Sequence, residues 1–194
     1  MRQARAAAGT AAFLVLAPGV VAGLVPWWLT GWQAHDLWLP ARAAGALLIV
    51  GGAAALLHSF ARFVVEGVGT PAPAAPTEHL VVGGLYRHVR NPMYLAVAAT
   101  ILGQTLLLGQ LVLIAYTGAF AIAVGAFVHG YEEPTLADRF GDQYADYRSA
   151  VPAWLPRCHA WTGANAPATD HPPDDPTAVV GTGRSGDDPA RGQV

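Results

Sequence analysis

Long stretches with almost no charged side chain constrain the fold of this chain more than any other feature of its sequence. The first covers residues 10–29, and similar apolar stretches follow at residues 41–60, 93–108 and 111–131. A helix of about 20 such residues is long enough to cross the ~30 Å hydrocarbon core of a bilayer. Charged residues make up only 12% of the chain, whereas soluble domains contain about 25%. The sequence therefore predicts an integral membrane protein.

The four stretches predict an all-α fold, a polytopic membrane helix bundle with about four transmembrane helices. A cleaved signal peptide is the alternative for residues 10–29, but its apolar core is normally only about 7–15 residues long. An uncleaved first span is therefore favoured. After Pro134, large apolar side chains recur every three or four residues, which is typical of a helix with one apolar face; they are Leu136, Phe140, Tyr144, Tyr147 and Val151. We expect a cytoplasmic amphipathic C-terminal helix there, either at the membrane surface or packed on the bundle.

The distribution of arginine predicts the orientation of the bundle. The chain has no lysine, so every fixed cation is an arginine. If the N-terminus is cytoplasmic and the chain crosses four times, Arg42 is the one arginine of residues 1–157 on the outer side. Cytoplasmic loops of membrane proteins carry such an excess of Lys and Arg. This predicts a multi-pass protein of the inner or cell membrane, with its active site facing the cytoplasm.

The stretch Gly84–Tyr94 lies between two apolar segments and carries the most chemically versatile side chains of the chain. Asn is a preferred N-cap and Pro suits the first helical position, so Asn91-Pro92 predicts a helix start. Arg90 beside the positive end of that helix favours binding of an anion. Two readings remain open, because Arg90 could also be a snorkelling, positive-inside side chain and Asn91 only a cap.

Two adjacent carboxylates, Glu132 and Glu133, follow the last apolar stretch. Because they and Arg90 flank the hairpin formed by residues 93–131, we expect them to lie close together on the cytoplasmic side. A pocket there would offer a cation for a carboxylate, and carboxylates for ribose hydroxyls, an ammonium or a sulfonium. Its tyrosines could stack on a base or a cationic centre. S-adenosylmethionine is one molecule that presents all of these groups.

Several other classes of protein are not supported. No glycine fingerprint of the dinucleotide-binding type follows a predicted strand. No basic stripe indicates nucleic-acid binding. The single Cys158 excludes an internal disulfide and a cysteine-based zinc site, and we predict no metal site.

Separated motifs in the second half of the chain resemble those of the membrane-embedded methyltransferases of the isoprenylcysteine carboxyl methyltransferase and phospholipid N-methyltransferase group. The resemblance covers about residues 60–157. The matching positions are His79, Leu80, Val81, Val82, Gly84 and Tyr86, then Arg90-Asn91-Pro92 with Tyr94, then Glu132-Glu133 with Leu136, then Phe140-Gly141, Tyr144 and Tyr147, and finally Val151-Pro152 with Leu155-Pro156. The Gly69–Pro73 segment is similar to bacterial members in particular.

The resemblance implies a methyltransferase that uses S-adenosylmethionine and a lipophilic acceptor. The acceptor would enter from the bilayer and the cofactor from the cytosol, with transfer by in-line displacement. The implied catalytic residues are Arg90 and Glu133. The implied cofactor-binding residues are His79, Leu80, Val82, Tyr86, Arg90, Asn91, Tyr94, Glu132 and Glu133.

Two departures from the family pattern leave the acceptor open. Asn91 stands where many members have His, and Gly130 and Tyr131 stand where eukaryotic prenylcysteine enzymes have Arg. A lipid amine, a lipid carboxylate or an isoprenoid-like small molecule remains equally compatible. The alternatives to a methyltransferase are an NADPH-dependent membrane reductase of the sterol reductase type and a non-enzymatic membrane protein. The reductase would need further basic residues, of which the cytoplasmic loops offer few.

The composition changes at the end of the chain. Residues 158–194 are rich in Pro, Asp, Gly, Ala and Thr and have almost no large apolar side chains. Such a composition is typical of disorder. We therefore predict one membrane methyltransferase domain, residues 1–157, and a disordered tail, residues 158–194. The sequence does not indicate an oligomeric state.

Overall fold

The structure, a computed structural model, describes residues 16–67 and 79–163. Regular secondary structure in these ranges is entirely helical, without a strand, which confirms the predicted all-α class. The helices are α1 (Leu16–Thr30), α2 (Leu39–Arg62), α3 (Pro92–Leu108), α4 (Val112–Phe127) and α5 (Glu133–Ala150). Wider π-helical turns lie within α1 at Val20–Leu24, after α2 at Phe63–Gly67 and between α4 and α5 at Val128–Glu132, and a 3-10 turn spans Gly84–Arg87.

Two of these helices have the length and apolar composition needed to cross a membrane. One is α2, and the other is the continuous helix Val112–Ala150, which contains α4 and α5. Large apolar side chains such as Leu47, Val50 and Ile122 are exposed on their outer faces, as expected for surfaces that contact lipid. Helices α1 and α3 are apolar but shorter. The number of four spans therefore stays a prediction, and residues 10–15 of the first span lie outside the described residues.

The closest helix packing joins α2 to α3 and depends on glycine. A Cβ on Gly45 would lie 2.6 Å from the Gly103 carbonyl oxygen, and a Cβ on Gly52 would lie 2.5 Å from Thr100 Oγ1. No side chain larger than hydrogen fits at these positions without a shift of α3. Small residues are the usual means by which helices approach in lipid. The glycines of α2 therefore allow α2 and α3 to approach closely.

Helix α1 is held against the bundle by two hydrogen bonds to its π-helical turn. Gln104 Nε2 of α3 donates to the Ala22 carbonyl oxygen at 2.6 Å. The Tyr116 hydroxyl of α4 donates to the Val21 carbonyl oxygen at 2.8 Å. The first of these is the interhelical hydrogen bond that a polar side chain within an apolar helix is expected to make. Both bonds place the Val21 side of α1 toward the centre of the bundle.

A segment after α5, residues 151–161, runs beside the loop that precedes α3, and we refer to it as the C-terminal strap. Backbone hydrogen bonds join Arg90 N to the Pro152 oxygen, Arg157 N to the His88 oxygen and Trp161 N to the Arg87 oxygen, at 2.9–3.0 Å. The packed part of the chain therefore continues past residue 157, the predicted end of the domain. The physical reason is Trp161, whose ring packs on Tyr147. Residues 164–194 lie outside the described residues.

Candidate functional site

A cavity of about 350 Å³ lies where the loop before α3, the end of α4 and the beginning of α5 meet. Its volume is within the usual range of small-molecule sites, about 300–1,000 Å³. Seven of the nine residues predicted to bind the cofactor line this cavity, namely Leu80, Tyr86, Arg90, Asn91, Tyr94, Glu132 and Glu133. The other two do not line it: His79 is exposed, and Val82 packs against the buried cluster of Tyr144, Tyr147 and Val151. Residues far apart in the sequence are thus brought to one place.

The start of α3 fixes Arg90 at the edge of the cavity. Pro92 occupies the first turn of the helix, as predicted, and Asn91 precedes it. The Asn91 side chain, however, makes no capping hydrogen bond; its Nδ2 donates to the Ala153 carbonyl oxygen at 3.2 Å. The backbone of Asn91, at φ −117° and ψ 53°, is outside the extended region that N-cap residues usually adopt. Asn91 therefore fastens the C-terminal strap to the helix start.

Arg90 and Glu133 form a direct ion pair inside the protein. Arg90 Nη1 lies 2.8 Å from Glu133 Oε1, with side chains only 13% and 11% exposed, and it donates to the Tyr144 hydroxyl at 3.1 Å. The second carboxylate oxygen of Glu133 lies 3.3 Å from Arg148 Nη2. Arg90 and the acidic pair therefore lie close together, as predicted. Arg90 is also buried and paired, so it does not extend to water as a snorkelling side chain would.

Glu132 lies in a different electrostatic environment from its neighbour Glu133. It lines the cavity, and its Oε2 accepts a hydrogen bond of 3.0 Å from the Tyr94 hydroxyl. No Arg or His within residues 16–67 and 79–163 forms an ion pair with it, whereas Glu133 has two arginine partners. Of the two carboxylates at the polar end of the cavity, Glu133 is paired with arginines. Glu132 has no arginine partner among the described residues.

Two buried polar atoms at the cavity have no hydrogen-bond partner among the described residues. They are the Tyr86 hydroxyl and Arg90 Nε. Unsatisfied buried donors are costly, and both atoms belong to side chains that line the cavity. Burial raises the pKa of Tyr86 well above its usual value, and the neighbouring Tyr147 and Glu132 raise it further, whereas the nearby Ser59 hydroxyl partly offsets the shift. The Tyr86 hydroxyl therefore stays protonated and remains a donor.

The other end of the cavity is apolar and was not anticipated from the sequence. It is lined by side chains from α1, α2, α3 and α4, including Pro18, Val21, Leu56, Val97 and Phe120. These residues lie in apolar stretches whose periodicity does not indicate which side chains face inward. No sequence signal could have separated them from residues that face lipid. The cavity thus combines a charged end and an apolar end in one space.

Comparison with known proteins identifies the family of this chain. Residues 40–143 match the family described as phospholipid methyltransferase. The Protein-S-isoprenylcysteine O-methyltransferase of Schizosaccharomyces pombe is 36% identical over 80 residues, which are 40% of this chain and 33% of that protein. The chain therefore spans about a third of the length of that relative. No solved structure matches the chain.

The family match covers more than half of the chain and includes α2 from its second residue, α3, α4 and the first part of α5. It also includes Arg90, Glu132 and Glu133, the charged residues of the cavity. With two helices long and apolar enough to cross a bilayer, the chain is a membrane protein that belongs to the phospholipid methyltransferase family.

Proposed function

We propose that this protein is a membrane methyltransferase that uses S-adenosylmethionine and methylates a lipophilic acceptor at a carboxylate or an amine. Family membership supports the reaction class. The observation that carries the proposal is the cavity itself, because its charged end suits a zwitterionic cofactor and its apolar end suits a hydrocarbon chain. A reaction between a polar donor and a lipid needs both environments within one site.

The donor groups at the charged end fit the proposed cofactor. The unpartnered Tyr86 hydroxyl and Arg90 Nε are suited to a carboxylate. Glu132, which has no described arginine partner, is suited to an ammonium or a ribose hydroxyl. Leu80 and Asn91, which also line the cavity, would contribute contacts to the same molecule. When bound, S-adenosylmethionine supplies an electrophilic methyl group. His79 and Val82 belong to the proposed set by resemblance, although they do not line the cavity.

In this proposal the protein acts by positioning and by excluding water. Arg90 and Glu133 hold each other at the wall of the cavity, so the orientation of the Arg90 guanidinium is set before a ligand arrives. The apolar walls from α1, α2 and α4 would hold the acceptor chain and keep water from the reacting groups. Fixing two reactants in one geometry accounts for large rate increases without a covalent intermediate.

The topology belongs to the same proposal. We infer four spans, at about residues 10–29, 41–60, 93–108 and 111–131, within a methyltransferase domain predicted as residues 1–157 and extended by strap residues 158–161. The N-terminus and the charged end of the cavity would face the cytoplasm of the inner or cell membrane. The positive-inside bias of the arginines supports this orientation.

Binding of S-adenosylmethionine to the full chain in detergent, measured by calorimetry, tests the function. We expect binding by the wild-type protein, a loss of at least tenfold in affinity for Glu132→Gln, and no change for Asp138→Asn, an exposed carboxylate on α5. Incubation of protein and isotopically labelled cofactor with lipid extracts should give a labelled lipid in mass spectrometry. Binding of NADPH instead of S-adenosylmethionine would support a reductase of the sterol reductase type. Binding of neither compound would support a non-enzymatic membrane protein.

A further inference from the structure

We propose that Trp161 is a positioning residue for the cavity: it holds the turn that carries Tyr86, and thereby sets the affinity for the methyl donor. Trp161 lies beyond residues 40–143, which match the family, and it does not line the cavity. The ligand in this inference rests on the proposed function, whereas the contacts of Trp161 do not depend on it.

The backbone of Trp161 is paired reciprocally with Arg87. Trp161 N donates to the Arg87 carbonyl oxygen at 3.0 Å, and Arg87 Nε donates to the Trp161 carbonyl oxygen at 2.6 Å. Arg87 is the last residue of the 3-10 turn Gly84–Arg87. The two bonds therefore fix one end of this turn to the C-terminal strap. Arg87 itself is outside the cavity lining.

The side chain of Trp161 reaches the same turn by a second route. Its ring packs on the ring of Tyr147, with centroids 5.2 Å apart and planes inclined by 48°. Tyr147, which is 3% exposed, donates its hydroxyl to the Tyr86 carbonyl oxygen at 2.7 Å. The indole of Trp161 and this hydrogen bond both restrain the Tyr147 side chain. Trp161 therefore restrains both Tyr86 and Arg87.

The restraint matters because of what Tyr86 presents to the cavity. Its hydroxyl is one of the two buried donors without a described partner, and its ring meets Phe63 edge-on at 5.7 Å. A donor of this kind contributes to binding in proportion to how well it is held in place before the ligand arrives. If the Trp161 ring is removed, Tyr147 gains space and the turn is less restrained. The cost then appears in binding, although Trp161 touches no ligand.

The binding test compares Trp161→Leu, which removes the aromatic packing but keeps apolar volume, with Trp161→Phe, which restores a ring. Trp154→Leu is the matched control, since Trp154 is a half-exposed tryptophan of the same strap outside the cavity lining. We expect the dissociation constant for S-adenosylmethionine to rise about tenfold in Trp161→Leu, which corresponds to about 1.4 kcal/mol. Trp161→Phe and Trp154→Leu should stay within threefold of wild type. In turnover with a lipid extract, KM for the cofactor should rise while kcat changes little.

A second measurement needs no ligand. Hydrogen exchange of the peptide spanning residues 84–90, followed by mass spectrometry, should become faster in Trp161→Leu and return toward wild type in Trp161→Phe. If Trp161→Leu does not fold, Arg87→Met removes the side-chain half of the reciprocal pair and should show the same two effects.

The outcomes separate this inference from the proposed function. If the wild-type protein does not bind S-adenosylmethionine, the proposed function and the affinity claim both fail, and hydrogen exchange still decides whether Trp161 restrains the turn. If the wild-type protein binds the cofactor and Trp161→Leu binds it equally well, the inference about Trp161 is overturned while the function stands. Unchanged exchange in residues 84–90 would overturn it independently of any ligand.

Discussion

The ion pair between Arg90 and Glu133 allows the sharpest test of how the site is built. Its charged atoms are 2.8 Å apart, and the two side chains are 13% and 11% exposed. We propose a double-mutant cycle in the absence of any ligand, with Arg90→Met, Glu133→Leu and the combined variant. Each single change leaves one charge in a largely buried place without its partner. The combined change removes both charges and replaces them with apolar groups.

The expected magnitude follows from burial. Removing one partner of a buried pair costs about 3–5 kcal/mol, whereas replacing both partners by apolar residues is often close to neutral. The pair retains slight exposure, and Arg148 also contacts Glu133. We therefore expect each single variant to lose unfolding free energy at the lower end of this range, about 3 kcal/mol. The combined variant should lose less than the sum of the two single losses. The coupling free energy should therefore exceed about 2 kcal/mol.

The assay is unfolding in detergent micelles, followed by far-ultraviolet circular dichroism, for all four members of the cycle. The matched control is the pair Arg62 and Glu66, which has a similar distance of 2.7 Å but side chains that are 37% and 26% exposed. Pairs of that kind are worth about 0.3–0.5 kcal/mol in helices. A coupling for Arg90 and Glu133 no larger than that of the control pair would show that the buried ion pair does not organise the site.

Three further predictions concern the framework around the cavity. Gly84→Ala should cost about 1 kcal/mol or more, because Gly84 has φ +59° and a Cβ would contact His58; adding His58→Ala should recover part of the loss in thermal unfolding. Gly45→Ala should strongly lower the yield of folded protein in size-exclusion chromatography, whereas Gly51→Ala, with open space around it, should not. Gln104→Leu should cost about 0.6 kcal/mol in unfolding by detergent titration, the average for a membrane interhelical hydrogen bond.

Local features of the sequence predicted the helices well. The Asn91-Pro92 dipeptide correctly placed the start of α3. The structure has a helix, α5, after residue 132, and its placement as a cytoplasmic amphipathic helix stays a prediction. These features depend on a few neighbouring residues, so they can be read without knowledge of the fold. The same reasoning did not find the bend at Gly141, where the backbone leaves the helical region within α5.

The distinction between the two acidic residues of the cavity was not predictable. Glu132 and Glu133 are adjacent and chemically alike, yet Glu133 pairs with Arg90 and Arg148, whereas Glu132 accepts a hydrogen bond from Tyr94. Successive residues of a helix point in directions about 100° apart, since the helix has about 3.6 residues per turn. Which of the two faces the arginines therefore depends on how the junction between α4 and α5 is rotated in the bundle.

The sequence by itself determined the apolar helices and the separated motifs that mark the family, because both are written in the order and spacing of residues along the chain. Only the tertiary structure decided that, among the residues it describes, arginines pair with Glu133 and not with Glu132. It also decided that side chains from α1, α2 and α4 close an apolar end of the cavity and that Trp161 supports the turn carrying Tyr86. Each of these depends on contacts between residues distant in the chain. Such contacts depend on how closely the helices pack at glycines such as Gly45 and Gly103. The effect of these glycines on packing is seen only when the helices are assembled.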